Sequence, residues 1–203
     1  MKIWYNLVDH NSVNQIIIVS EEYMDVIECI KTRRSIRKFK DETVSAEKLA
    51  EIVNIAAYAP SWKNSQTTRY IAIFDKTLKD RLANECMMGF EYNIGTASGA
   101  PAMVVVTTVN NRSGYERDGS ATTSKGTHWQ SFDAGIATQT FCLAAHEAGL
   151  ATVIMGIFDE EKVKEVVSVP EGQSVSALVA IGYADDEPQA PKRKCADDLL
   201  TVK

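Results

Sequence analysis

The chain has 203 residues, with 27 acidic against 22 basic side chains, a net charge of −5 and a pI near 5.3. That length suits one domain of ordinary size, and 45% hydrophobic with 24% charged residues is the composition of a globular protein that lives in water. The acidic balance argues against a nucleic-acid partner. No apolar run approaches the ~18 residues of a membrane span, so no membrane partner is expected either.

Residues 1–22 show no helical period, although 16–19 (Ile, Ile, Ile, Val) could form a short strand. This stretch lacks the basic flank and long apolar core of a signal peptide. The expected location is therefore the cytoplasm, with 1–23 as an extension outside the chemistry and 24–203 as the functional domain. Tyr23, Val26, Ile27 and Ile30 then repeat at i, i+3, i+4 and i+7, which predicts a first helix.

The run that follows is the most informative in the chain. Arg33, Arg34, Arg37, Lys38 and Lys40 surround Ser35 within nine residues. Arginine offers a rigid fork of donors that matches a phosphate, and serine adds a hydroxyl to the same cradle. A solvated surface face is the plain alternative.

Ser45 is placed to cap a second helix, with Leu49, Ile52, Val53, Ala56 and Ala57 as its apolar stripe and Pro60 as its stop. The loop after it, with Ser61, Asn64, Ser65 and Gln66, is rich in amides and hydroxyls. A strand is expected over 69–74, a helix over 76–88 and a central β-branched strand over 102–109. Residues 110–126 form a long polar stretch with Gly114, Gly119 and Gly126. Its length suggests a lid over an acceptor pocket, with His128, Trp129 and Tyr115 close by.

The longest predicted helix covers 131–147, with Phe132, Ile136, Thr140, Leu143 and Ala144 on one stripe and Gly149 at its end. A strand over 151–157 ends at Gly156. Asp159 caps a helix through Val167, and Pro170 stops it. The last strand covers 174–183, and the polar tail carries Lys192, Arg193 and Lys194. Helices alternate with β-branched strands, which gives a sheet covered by helices, either α/β or α+β.

Cysteines 29, 86, 142 and 195 lie more than 50 residues apart and form no CxxC pair, and the three histidines show no ligand spacing. No metal site is expected, and the thiols read as reduced and mostly buried. The chain also lacks a GxGxxG fingerprint, a phosphate-binding P-loop and a GxSxG elbow.

Five motifs in order make a resemblance specific. They are Arg33, Arg34, Ser35, Ile36, Arg37 with Lys38 and Phe39; Ala59, Pro60, Ser61 with Asn64, Ser65 and Gln66; Gly149 and Leu150 with Met155, Gly156, Ile157, Phe158 and Asp159; Pro170, Glu171 and Gly172; and Ile181, Gly182 and Tyr183. Over residues 24–200 the chain resembles the FMN-dependent nitroreductase family.

The resemblance implies an intertwined homodimer of α+β subunits, each with a central mixed sheet flanked by helices. Two FMN sites are implied at the subunit interface. One subunit would supply Arg33, Arg34, Ser35 and Arg37, with Arg33 and Ser35 on the phosphate, ribityl and pyrimidine side and Arg37 at the pyrimidine edge. The other would supply Pro60, Ser61, Asn64 and Gln66. Ile154, Met155 and Gly156 would lie against the isoalloxazine, with a backbone N–H near Gly156 facing N5, and one of Lys192, Arg193 or Lys194 would close on the phosphate. The implied activity is ping-pong reduction of nitroaromatics, quinones or similar acceptors by NAD(P)H. Two other readings remain: a flavin-storing or flavin-sensing protein of the same fold, and a specialised flavin chemistry such as dehalogenation. Three positions depart from the family pattern: Thr67 and Thr68 replace the usual Pro and Trp, and Gly156 replaces a frequent Glu.

Overall fold

A computed structural model describes residues 24–203. The strand foreseen at 16–19 and the role given to 1–23 lie outside the described residues. Four strands form one sheet in the order β1-β2-β4-β3, with β1 Thr68–Ile73, β2 Ala102–Val109, β3 Ala151–Met155 and β4 Gln173–Gly182. Every pairing between these strands is antiparallel. This corrects the mixed sheet expected from the resemblance: within the described residues the one parallel contact is an isolated bridge, Ser35 to Thr152.

The central strands explain the fold. β2 is buried from Ala102 to Thr108 because both of its faces are covered. Met103 and Val105 point into a core with Leu82, Cys86, Met87, Leu178 and Val163, built on α3 Lys76–Arg81, α4 Glu91–Gly99 and α6 Glu160–Val167. Val104 and Val106 point the other way, onto Ile52, Phe141, Leu150 and Val179, under α2 Ala46–Ala56 and α5 His128–Glu147. Period-2 alternation thus fills two cores from one apolar run. Phe141 is fully buried and stacks on Tyr70 at 5.3 Å. Burial of one such ring contributes about 1.5–3 kcal/mol. The same burial pushes the Tyr70 hydroxyl up to about 12, where it stays protonated and donates to the Ala137 carbonyl (3.4 Å).

The caps read from sequence are in place. Ser45 Oγ accepts from Lys48 N (3.1 Å) and Asp159 Oδ1 from Lys162 N (3.2 Å). Beyond α5, the Leu150 N–H bonds back to the Ala145 carbonyl (2.8 Å).

Several expectations need correction. The helix foreseen over 76–88 is α-helical only to Arg81 and continues as a π-helical turn, Leu82–Cys86. Helix α4 had no forecast, because its Gly95, Ala97, Ser98 and Gly99 give no amphipathic signal. In α1, Val26–Thr32, the apolar stripe faces outward: Val26, Ile27 and Ile30 are more than half exposed and only Cys29 is buried. Phe132 of α5 is likewise 58% exposed, while Asp133, Ala134, Ala137 and Phe141 face the core. Periodicity reveals an apolar face but not whether the same chain covers it.

Cys29, Cys86 and Cys142 are buried free thiols and Cys195 is exposed. Burial pushes the Cys86 thiol up to about 11 and raises Cys142 as well, so neither is a ready thiolate. Among the described residues, no helix is long and apolar enough to cross a membrane.

Candidate functional site

The first group of site residues lies along the β3 edge of the sheet. The chain leaves α1 at Arg33, whose N–H caps the helix on the Cys29 carbonyl (3.1 Å), and turns extended. Ile36 N then bonds to Thr152 O (3.0 Å), which fixes Ser35 beside β3. Further on, Lys40 N bonds to Tyr183 O (2.9 Å). The cationic run is therefore stitched to the sheet by its backbone, and its side chains are left for other work.

Those side chains differ in what they do. Arg34 Nη1 donates to the carbonyls of Lys31 (2.6 Å) and Arg33 (2.9 Å), so it neutralises the end of α1. Arg37 sits over the Tyr92 ring of α4 at 5.4 Å. The neighbouring Asn93 donates from Nδ2 to Ile157 O (3.4 Å), so α4 links Arg37 to the turn after β3. Arg33 is the unusual one: its Nε is buried without a hydrogen-bond partner. Among the described residues, none of Arg33, Arg34, Arg37, Lys38 or Lys40 takes part in an ion pair. Burial and the charges of Arg33 and Arg34 push His146 below its ordinary value, so its ring, 2.9 Å from Thr32 Oγ1, is held neutral and adds no charge.

The same edge carries Ile154, Met155 and Gly156. Ile154 is 45% exposed, whereas the Met155 side chain is buried in the first core, so Met155 offers only its backbone. A Cβ placed on Gly156 meets nothing within 4 Å. The chain's own packing does not demand glycine there, and its absent side chain leaves the backbone open to a close neighbour. Ile154 also lines a cleft of about 630 Å³ with Ser131, Gly135 and Thr138 of α5.

The second group lies near the opposite edge, β1. Ser61 Oγ accepts from Gln66 N (2.9 Å), closing a tight loop between α2 and β1. Within it Lys63, Asn64 and Gln66 all have positive φ, +46°, +54° and +46°. Pro60, Ser61 and Gln66 line a second, largely apolar cleft of about 480 Å³ with Leu49, Val53, Tyr70 and Ala137. Trp62 Nε1, Ser65 Oγ and Thr67 Oγ1 are buried with no partner.

Strands β2 and β4 separate the two groups. Three strand spacings of about 4.8 Å put the edges roughly 14 Å apart. Neither cleft is lined by residues of both groups. Lys192, Arg193 and Lys194 stand exposed in the tail before α7, Ala196–Leu199, with no hydrogen bond or ion pair among the described residues.

The residues present fit a phosphorylated, planar cofactor such as FMN. An unpartnered guanidinium nitrogen, free cations, an open glycine and a loop of unsatisfied donors are the groups such a ligand satisfies. Sequence reading missed Asp133, whose carboxylate accepts from Trp62 N (2.9 Å) and Ser113 Oγ (2.6 Å). The available signal was its isolation: it is the one charged residue between His128 and His146.

An antiparallel sheet between two helical layers defines an α+β fold shared with solved structures. A crystal structure from Exiguobacterium sibiricum, provisionally described as a nitroreductase in complex with FMN, superposes with a TM-score of 0.76 at 21% identity, over 89% of this chain and 98% of that one. The model of the Nitroreductase family matches residues 30–183, and the chain belongs to that family. An FMN-dependent nitroreductase from Clostridium difficile is 28% identical, with a TM-score of 0.69 over 87% of this chain and 99% of its own. A relative from Archaeoglobus fulgidus, named provisionally as an NADH dehydrogenase/NAD(P)H nitroreductase, is 29% identical over 167 residues, 79% of this chain and 87% of that protein.

Proposed function

We propose that this protein is an FMN-dependent oxidoreductase that takes electrons from NAD(P)H and passes them to nitroaromatics, quinones or similar acceptors. The observation that carries the reading is the β3 edge: Arg33 with an unpartnered buried Nε, beside Ser35, in a cationic run with no acidic partner among the described residues. Membership of the family, an FMN-dependent structural neighbour and another solved in complex with FMN support it.

In this reading Arg33 and Ser35 bind the phosphate end by charge-assisted hydrogen bonds. Arg37, braced on Tyr92, places a fixed positive charge at the pyrimidine edge, where it stabilises the negative charge of the reduced cofactor. Ile154 and the open backbone at Gly156 form the floor under the ring. Pro60, Ser61, Asn64 and Gln66 reach the site from a second copy of the chain, because within one chain they belong to the far edge. One of Lys192, Arg193 and Lys194 closes over the phosphate. FMN itself, when bound, supplies the hydride acceptor and donor.

Steady-state oxidation of NAD(P)H tests the activity. Turnover with a nitroaromatic or a quinone, well above that of free FMN at the same concentration, is the expected result. Tight FMN binding with no oxidation above the free-FMN rate sinks the enzyme reading and favours flavin storage or sensing.

A further inference from the structure

We propose that Asp133 is a positioning residue: it latches the 110–127 excursion onto the strained 61–66 loop and so fixes where Pro60, Ser61 and Asn64 stand. This rests on the FMN reading above and adds what holds half of that site in shape.

The argument starts from burial. Asp133 is 3% exposed, and a buried carboxylate is costly unless hydrogen bonds satisfy it. No cation pairs with it among the described residues. One oxygen, Oδ2, takes both bonds, from Trp62 N at 2.9 Å and Ser113 Oγ at 2.6 Å. The donors come from two different loops, 71 and 20 residues away in sequence. A single buried acceptor therefore joins the cofactor loop to the excursion.

The cofactor loop needs such an anchor. Lys63, Asn64 and Gln66 hold left-handed backbone conformations that residues with a Cβ rarely adopt. Conformations of that kind persist only where the surroundings over-determine them. Here the surroundings are α5 and the excursion. Trp62 packs on Trp129 of α5 with ring centroids 4.9 Å apart. Lys63 Nζ meets Glu116 at 3.1 and 3.2 Å, and Thr122 Oγ1 donates to the same carboxylate (2.8 Å). Gln130 Oε1 accepts from Asn111 N (2.6 Å), tying the start of the excursion to the first turn of α5.

The excursion is itself seated tightly. Gly114 has φ +83°, and a Cβ there would lie 2.7 Å from Trp129 Cδ1 and 2.9 Å from its Cβ. The segment expected to act as a lid is a folded piece clamped on α5 and on the cofactor loop.

The holoprotein tests this. Asp133→Ala should raise the Kd for FMN about tenfold or more, and it should speed amide hydrogen exchange in 62–66. Asp133→Asn, which keeps an acceptor oxygen, should recover most of the loss. A second change separates positioning from general stability. Glycine adopts a left-handed backbone without strain, so adding Lys63→Gly to Asp133→Ala should restore about threefold in affinity. Unchanged exchange at 62–66 in Asp133→Ala overturns the latch, and so does faster exchange with an unaltered Kd. An equal fall in Tm with and without Lys63→Gly, and no recovery of affinity, overturns it too. A wild-type chain that takes up no FMN instead overturns the cofactor reading, and exchange at 62–66 still decides the latch.

Discussion

Arg33→Ala is expected to weaken FMN binding by about ten- to a hundredfold or more. Three facts give that magnitude. Arg33 leaves α1 with its backbone N–H already engaged on Cys29, so its side chain has no structural duty at the cap. Its Nε is buried and lacks a partner, an arrangement that costs free energy until a ligand satisfies it. The ligand end it faces in this reading is anionic, and each charge-assisted hydrogen bond is worth roughly 1.5–3 kcal/mol, where 1.4 kcal/mol is a factor of ten. Fluorescence titration of FMN into the apoprotein measures the loss. An unchanged affinity would remove Arg33 from the site.

The second large effect is in assembly. Val26, Ile27 and Ile30 of α1, with Phe132 of α5, are apolar side chains that their own chain leaves exposed. Leu199, Leu200 and Val202 in the tail are exposed as well. A second copy that covers these side chains would remove them from water, and it would also bring a β1-edge loop to a β3-edge cation run. Sedimentation should therefore give twice the chain mass of 22.4 kDa. Mixed dimers make the test sharp. Arg33→Ala damages one half of each site, and Asn64→Gly damages the other while keeping the left-handed turn unstrained. Each homodimer then has two damaged sites. A dimer of one chain of each kind has one site with both lesions and one with neither, so it should regain one full-affinity FMN site. If both groups served the same site from one chain, the mixed dimer would hold two singly damaged sites and regain none.

Much of this was legible in the sequence, for physical reasons that differ by residue. Ser45 and Asp159 announced helix starts because only short polar side chains satisfy the first free N–H groups. The run 102–109 announced a central strand because every side chain in it can be buried. The cationic run stood out because an acidic chain does not concentrate arginine without cause.

What stayed hidden depends on the third dimension. The stripe on α1 was visible, but whether it faces its own core is not a property of period. Helix α4 buries only Asn93, Thr96 and Ala97, too few apolar positions to mark a face in the sequence. That the two groups of candidate residues lie toward opposite sheet edges follows from strand order, which no local pattern carries. Asp133 was passed over because its partners, Trp62 and Ser113, are distant in sequence.

Anaerobic titration of the FMN-loaded protein with NAD(P)H tests the central claim most directly. The account predicts that the visible flavin absorption bleaches in proportion to NAD(P)H added, and returns when a nitroaromatic or a quinone is supplied. A protein that takes up no FMN, or one whose bound flavin stays oxidised in excess NADH and NADPH alike, would contradict it.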